Sequence, residues 1–437
     1  MLTKMRSAVD LASFLMRAEW AILLSVGSFL VGSLPMLVGL PPVVGWAIAA
    51  AGFVVGVVFI VKDIFGLLGR WSEWSMRKVT APVEFDGELV VPGLPQIVTT
   101  EVGRVAIDPD VDALLANSQC NVKWQSDPYE LPSPLAEIAP YVLRTSAQGR
   151  WPFNGPNVRL ESDISAEFLT DNRDVLMRPG NFYRGLCSNE LTSWVITRGG
   201  TRWPFEEQFI FDSQHRIQAL SQSQLLNGVG VSTLAVTTDD RLVIVLQSRN
   251  SQTSAGMWAP SGSGALEPQD VAASPDQLLV NVVSAGAVRE LREEGNLSAT
   301  AVGASEVIGY GRWLDRGAKP EFYCLTALTV ASTELRLGSN AHRFGTEERT
   351  WTADIQLIEL DFAGAQSRVD NDASRPLWRS SLLVPNPAVL IGSVSVSLSL
   401  ALDALVRALR RDPDIVSRLR DLGRASQVEE WQGTEVH

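Results

Sequence analysis

The sequence predicts an α+β fold with a mixed sheet, preceded by a two-helix transmembrane hairpin. Two observations support this prediction. No charged residue lies between Glu19 and Lys62, an interval of 42 residues. Because one helix needs about 20 residues to cross a bilayer, this interval has room for two. From residue 157 onward, short β-rich runs are interrupted by a capped helix, which is typical of an α/β domain.

Flanking cations orient the predicted hairpin. A Pro-Pro dipeptide separates a first helix, 21–39, from a second helix, 43–61. Lys and Arg residues precede the first helix and follow the second, whereas the turn between them has none. Because cytoplasmic segments carry the excess of Lys and Arg, we expect both termini to be cytoplasmic and the hairpin to contact lipid. Gly52 and Gly56 form a GxxxG pair, which packs either inside the hairpin or at a homo-oligomer seam.

Composition limits the partners and the compartment. The 437 residues include 37 Lys and Arg against 49 Asp and Glu, a net charge of −12 that disfavours long nucleic acids as partners. Three distant cysteines argue against a disulfide framework or a structural zinc site. The sequence divides into four predicted regions. Residues 1–19 form a cytoplasmic N-terminus, and residues 20–61 form the hairpin. Residues 62–156 form a juxtamembrane and Pro-rich β subdomain, and residues 157–437 form a large domain with a C-terminal helix.

The large domain has signals for strands, a helix and a core segment. Strands are predicted at 229–237, 242–247, 301–308, 321–330 and 354–360. Ser274 and Gln277 have the spacing of a capping box, so a helix is expected from Ser274 to Glu294. The uncharged stretch 380–402 carries many serines for a lipid environment. It predicts a helix packed on the soluble domain, with a third membrane crossing as the alternative.

Three carboxylates share one face of the predicted helix. Glu290, Glu293 and Glu294 stand at positions i, i+3 and i+4. Adjacent carboxylates repel one another unless solvent or a divalent cation separates them, and Mg²⁺ favours hard oxygen ligands and bridges to substrate phosphates. The alternative is an ordinary solvated helix face, neutralised by Arg289 and Arg292.

The run from Arg289 to Leu297 resembles the core of the Nudix box, G-x5-E-x7-R-E-U-x-E-E-x-G-U, in which U is a bulky aliphatic residue. Gly264 and Asp270 match the G-x5-acid element, with Asp in place of Glu. However, 18 residues separate Asp270 from Arg289, where the box has seven. The extra residues are expected to extend the helix at its N-terminal end. The loop that begins at Trp258 also resembles the W-x-P-G-G that precedes many such boxes.

This resemblance implies a Nudix-like α/β/α sandwich with a mixed sheet. The three glutamates would be the catalytic residues and the Mg²⁺ ligands, and Asp270 would pair with Arg289. Nucleotide-binding roles are implied for Arg249, Trp258, Ser261, Gly262, Ser263 and Gly264. Candidates for a general base, on sequence position only, are Glu347 and Glu348. His215 and His342 have no partner at useful spacing and are expected to be structural.

A membrane hairpin joined to a Nudix-like domain resembles the transmembrane–Nudix effectors of CBASS, the bacterial anti-phage systems. The resemblance implies a multi-pass protein of the bacterial inner membrane that senses a cyclic oligonucleotide, oligomerises and disrupts the membrane. The alternative is a membrane-tethered, Mg²⁺-dependent Nudix hydrolase of nucleoside diphosphates linked to another moiety. Both readings predict a nucleotide ligand, and they differ in whether that ligand is cleaved.

Overall fold

The structure is a computed structural model of the chain. It describes residues 72–79, 89–146, 154–248, 254–295, 297–335, 352–367, 374–390 and 393–434, together with the single positions 54, 57, 58, 61 and 69. Helices and strands are both present, and the sheets are mixed, so the predicted α+β class with a mixed sheet is confirmed.

The strands are β1 (Trp74–Lys78), β2 (Gln96–Thr99), β3 (Arg104–Ile107), β4 (Val122–Trp124), β5 (Pro156–Leu160), β6 (Val175–Asn181), β7 (Trp194–Arg198), β8 (Thr201–Arg202), β9 (Gly230–Val236), β10 (Arg241–Gln247), β11 (Trp258–Ala259), β12 (Gly262–Ala265), β13 (Val302–Trp313), β14 (Lys319–Leu328) and β15 (Thr352–Glu359). The helices are α1 (Pro109–Leu115), α2 (Ser133–Ser146), α3 (Ala166–Thr170), α4 (Phe182–Leu186), α5 (Phe205–Phe209), α6 (Pro268–Ala272), α7 (Leu279–Gly295), α8 (Val396–Arg411) and α9 (Ile415–Thr434).

The chain divides into two compact units that differ from the predicted domains. The first unit comprises Met1–Val79, Glu130–Gly155 and Asn181–Phe205, and the second comprises Thr80–Tyr129, Pro156–Gly180 and Glu206–His437. The first unit contains the small sheet β1-β7-β8, and the second contains a larger sheet and the sheet β4-β6-β5. Each unit therefore includes residues from before and from after the predicted boundary at 156/157.

The larger sheet of the second unit runs in the order β11-β10-β9-β14-β13-β3-β2, with β12 also paired to β9 and β15 to β10. Strands β9 and β14 are parallel, whereas β13 and β14 are antiparallel. Strands β9 and β10, both predicted from the sequence, form an antiparallel hairpin. Its turn is closed by a bond from Thr237 N–H to the Arg241 carbonyl (2.9 Å), and Asp240 has a positive φ of 60°.

Helices α7 and α8 cover opposite faces of the larger sheet. Alternate side chains of a strand point to opposite faces. On β9, Leu234 and Val236 belong to the buried cluster that contains the apolar side of α8. Ala235 belongs instead to the cluster around Leu291 of α7. The sheet is therefore the middle layer between these two helices.

Only the last seven residues of the uncharged stretch 380–402 lie in helix α8, and Pro387–Leu390 form a short 3-10 helix before it. Residues from Val396 to Leu409 are buried, and the hydroxyl of Ser395 caps the helix by accepting the N–H of Leu398 at 3.1 Å. The prediction of a core helix is confirmed for residues 396–402 alone, and the helix continues past the stretch to Arg411. The alternative, a third membrane crossing, is wrong because this helix lies in the protein core.

Helix α7 begins later than predicted. The Ser274–Gln277 segment is a turn, closed by a bond from Gln277 N–H to the Ser274 carbonyl (3.1 Å). Gln277 has a φ of 51°, which no right-handed helix accommodates. The helix starts at Leu279, after the separate short helix α6. The extra residues between Asp270 and Arg289 therefore form a turn as well as additional helix.

The membrane prediction requires correction. Among the residues that the structure describes, no helix is both long and apolar enough to cross a membrane. The buried helix α8 has 16 residues, fewer than the roughly 20 that a crossing requires. The predicted hairpin over 20–61 lies outside the described residues except for four positions. The predicted multi-pass placement in the bacterial inner membrane, with both termini cytoplasmic, is thus unsupported by any described helix, and we do not retain it.

Candidate functional site

Arg289 joins α7 to α6 through a bidentate ion pair. Its Nε and Nη2 donate to the two carboxylate oxygens of Asp270 at 2.9 and 3.0 Å, and Nη2 also donates to the Ala265 carbonyl at 2.7 Å. Asp270 is itself held by the N–H of Glu267 (2.8 Å), in a capping box that starts α6. The predicted pairing of Asp270 with Arg289 is confirmed, although the two residues are farther apart in sequence than in the Nudix box.

The remaining guanidinium nitrogen of Arg289 contacts two of the predicted glutamates. Nη1 donates to Glu290 at 2.9 Å and to Glu293 at 3.2 Å. Glu290 is buried and Glu293 is exposed. One arginine therefore braces the helix on one side and engages carboxylates on the other.

Strand β12 passes so close to α7 that two of its residues have no room for a side chain. A Cβ added to Gly264 would lie 2.1 Å from a carboxylate oxygen of Glu290, and one added to Gly262 would lie 2.6 Å from the Leu291 backbone. Between them, the N–H of Ser263 donates to Glu294 at 2.8 Å. The backbone of β12 thus fixes the carboxylates of Glu290 and Glu294.

The carboxylates on this face are held where a negative charge is unfavourable. Burial raises the pKa of Glu290 to about 7, against the attraction of Arg289 and with added repulsion from Glu293. Burial and repulsion by Glu290 raise the pKa of Glu294 well above its ordinary range, opposed by the hydrogen bonds from Ser263 and Gln247. Burial works against the charge of Arg289 too, but its carboxylate partners raise its pKa overall.

The chemistry of this donor set fits Mg²⁺, which prefers carboxylate oxygens. Glu290, Glu293 and Glu294 would hold the ion, and its charge would offset the mutual repulsion of the carboxylates. In the present arrangement, the described residues contain no group of three or more acidic, histidine or cysteine side chains gathered to hold a metal. Arg289 engages an oxygen of Glu290 and one of Glu293, so a cation would compete with Arg289 for them.

Two side chains predicted to bind nucleotide have other partners. Ser261 is fully buried, and its hydroxyl lies between the Ala235 N–H (2.7 Å) and the Val243 carbonyl. The backbone of Trp258 bonds to the segment before α8, and its side chain packs against the core cluster on the α8 face. Neither side chain belongs to the group of residues around the glutamates of α7.

The other predicted residues divide between described and undescribed positions. Gly262, Ser263 and Gly264 lie at the glutamates, where their backbone contacts α7. Arg249, Glu347, Glu348 and His342 lie outside the described residues. His215 is exposed, with a φ of 57° and a ring contact to Phe211.

Sequence reasoning missed two residues of this site. Glu267 lies 3.8 Å from Arg289, and burial raises its pKa. The pattern Glu-Pro-x-Asp at 267–270 is a helix start that could have revealed it. Gln247 hydrogen-bonds to Glu294 from the end of β10. No local sequence signal marks Gln247, because its contact depends on how the sheet is assembled.

The chain matches no protein-family model and no curated protein. Among solved structures, the crystal structure of DR0079 from Deinococcus radiodurans aligns with 44% of this chain and 95% of that chain, at 11% identity and a TM-score of 0.24. The identification as a transmembrane–Nudix CBASS effector is therefore wrong. No family match supports it, and no described helix supplies its membrane part.

Proposed function

We propose that the glutamate face of α7 binds Mg²⁺ and a nucleoside diphosphate linked to another moiety, and that it hydrolyses the pyrophosphate bond of this ligand. The proposal includes a Nudix-like arrangement of the second unit, in which α7 and α8 sandwich the mixed sheet.

The observation that supports this function is an excess of acid around one arginine. Asp270, Glu290 and Glu293 all contact Arg289, while Glu294 is held by a backbone N–H group instead. Carboxylates gathered in this way are stabilised by a proton or by positive charge from outside the chain, and a phosphate-bound divalent cation supplies such a charge. When bound, such a cation polarises a phosphoryl oxygen and lowers the pKa of a water ligand.

Some residues of this face hold α7 in place, and one residue is exposed to a ligand. Arg289 is tied to Asp270 and to the Ala265 carbonyl, so it keeps the helix in place. Glu294 is held by β12, and Glu290 is buried below Gly264. Glu293 is exposed and can reach a ligand in solvent. We therefore expect Glu293 to respond most directly to ligand binding.

The test uses the full-length protein with Mg²⁺ and a panel of nucleoside-diphosphate conjugates and cyclic oligonucleotides. Mass spectrometry identifies which compound is cleaved and which is retained. Glu293→Gln should lower Mg²⁺-dependent cleavage by about 100-fold or more, since even residues that only orient a metal ligand cost 10–100-fold. Glu207→Gln, which changes an exposed glutamate away from α7, is the matched control.

Unchanged cleavage in Glu293→Gln would remove this face from the reaction. A compound that stays bound and intact, with no conjugate cleaved, would overturn hydrolysis and leave a binding site.

A further inference from the structure

Strand β9 exchanges partners along one of its edges. Residues Gly230–Thr233 pair with β12, whereas Ala235 and Val236 pair with β10. The opposite edge pairs with β14 from Gly230 to Val236. Beyond Val243, strand β10 pairs with β11 at Val245 and Leu246, while β15 pairs with it from Arg241 to Gln247. We call the place where β10 and β12 separate beside β9 the fork.

Ser261 fills the fork. Its hydroxyl accepts the N–H of Ala235 at 2.7 Å and donates to the carbonyl of Val243. These two groups belong to β9 and β10, at the last position where the strands are paired. A buried backbone group without a partner costs free energy, so the hydroxyl replaces a bond that the diverging strands no longer make. Ser261 has no exposed surface.

The residues that follow Ser261 are those that hold the glutamates. Gly262 lies against Leu291, Ser263 N–H binds Glu294, and Gly264 lies over Glu290. The clearances are so small that a shift of β12 by a few tenths of an ångström would change all three contacts. The Ser261 hydroxyl is the side-chain anchor at the start of this strand.

We propose that Ser261 is a positioning residue for the carboxylates of Glu290 and Glu294. Its hydroxyl fixes β12 at the fork, and β12 in turn fixes the two carboxylates. This role differs from the nucleotide contact predicted from the Gly/Ser-rich loop, because the side chain is buried and bound on both sides. The inference rests on the proposed function of the glutamate face.

The test compares Ser261→Ala with Ser399→Ala in the full-length protein. Ser399 is also buried, and its hydroxyl accepts the Trp378 indole N–H at 2.9 Å on the α8 face, away from β12. Hydrogen–deuterium exchange reports on β12, and Mn²⁺ binding followed by electron paramagnetic resonance reports on the carboxylates. In Ser261→Ala, the backbone amides of residues 262–264 should exchange at least about tenfold faster than in the wild type. This variant should also bind Mn²⁺ about tenfold more weakly than the wild type. Ser399→Ala should match the wild type in both readouts.

If the alanine variant does not fold, the test uses Ser261→Thr, which keeps the hydroxyl. It should bind Mn²⁺ within about threefold of the wild type, and weaker binding than that would overturn the role of the hydroxyl. Unchanged exchange in Ser261→Ala, or an equal change in Ser399→Ala, would also overturn it. If the wild type itself binds no Mn²⁺, the proposed function fails. Exchange at 262–264 then decides the role of Ser261 alone.

Discussion

The two faces of the larger sheet both bury carboxylates, but they neutralise them in different ways. On the α8 face, Arg407 donates to Asp112 at 2.7 Å and to Asp403 at 3.1 Å. The N–H groups of Tyr310 and Trp378 complete the partners of these two carboxylates. All three charged side chains are less than 10% exposed. We call this network closed because each of its two acids receives both an arginine N–H and a backbone N–H, although Arg407 Nη2 has no hydrogen-bond partner among the described residues.

On the α7 face the carboxylates outnumber the positive charges beside them. Asp270, Glu290 and Glu293 share Arg289, and Glu294 lies beside Glu290 with no arginine of its own. Burial raises the pKa of Glu290 to about 7. The difference teaches that buried charge alone does not mark a functional site. What distinguishes the α7 face is that three acids share one arginine, with Glu294 beside them, and that Glu293 is exposed.

The largest expected effect comes from opening the closed network. Arg407→Leu would leave Asp112 and Asp403 buried without a cation. Removing one partner of a buried ion pair costs about 3–5 kcal/mol, so the free energy of unfolding should fall by that amount. Urea denaturation measures this change, and Mn²⁺ binding at α7 should persist in the folded variant.

Arg418→Gln is the matched control on the same side of the sheet. Arg418 also bridges two carboxylates, Glu306 and Asp412, but its side chain is 45% exposed. Exposed pairs contribute about 0–1 kcal/mol. Equal losses in the two variants would contradict the distinction between a closed buried network and a solvated one.

A smaller effect is expected from adding one methyl group to β12. In Gly264→Ala, the new Cβ would lie 2.1 Å from Glu290 Oε1, so the carboxylate or the strand must move. We expect a loss of about 2–3 kcal/mol in the free energy of unfolding, typical of overpacking. Mn²⁺ affinity, measured by electron paramagnetic resonance, should fall as well. Gly295→Ala, whose Cβ would approach no atom closer than 3.3 Å, is the control. Normal Mn²⁺ affinity in Gly264→Ala would show that Glu290 is not a ligand.

Local spacing predicted the parts of the site that lie on one helix. The i, i+3, i+4 pattern placed the three glutamates on α7, and the Asp270–Arg289 pair survived an insertion because both residues are anchored on helices. The predicted start of α7 at Ser274 is wrong. Although the sequence there suits a helix cap, Gln277 has a positive φ, which a right-handed helix does not accommodate. Patterning predicted a core helix in the uncharged stretch 380–402, but α8 begins only at Val396 and extends beyond that stretch.

Contacts that depend on sheet assembly could not be predicted. Ser261 looked like a ligand-binding serine because its neighbours are glycine and serine. Its actual partners, Ala235 and Val243, come from two other strands. The Arg407–Asp112 pair joins residues 295 positions apart. Nothing in the sequence near either residue signals such a pair, because the pair exists only once α1 and α8 have packed on β13.

The last expected effect concerns the pH dependence of stability on the α7 face. Burial raises the pKa of Glu290 from its ordinary value of 4.5 to about 7. The folded protein therefore binds a proton at Glu290 that the unfolded chain releases, so this residue makes stability fall as pH rises from about 4.5 to 7. Glu290→Gln does not titrate at this position and should remove about 3 kcal/mol of that decline, since one pKa unit corresponds to about 1.4 kcal/mol. Urea midpoints of both proteins across this pH range measure the difference.

Asp403, whose pKa burial raises to about 6, titrates in the wild type and in Glu290→Gln alike, so its contribution cancels in the comparison. Glu207→Gln, at an exposed position, should retain the wild-type slope. Parallel pH profiles for the wild type and Glu290→Gln would mean that the pKa of Glu290 is not raised in the folded protein. The contrast between the two faces would then fail at its central residue, because the α7 face would have no unmet need for a cation.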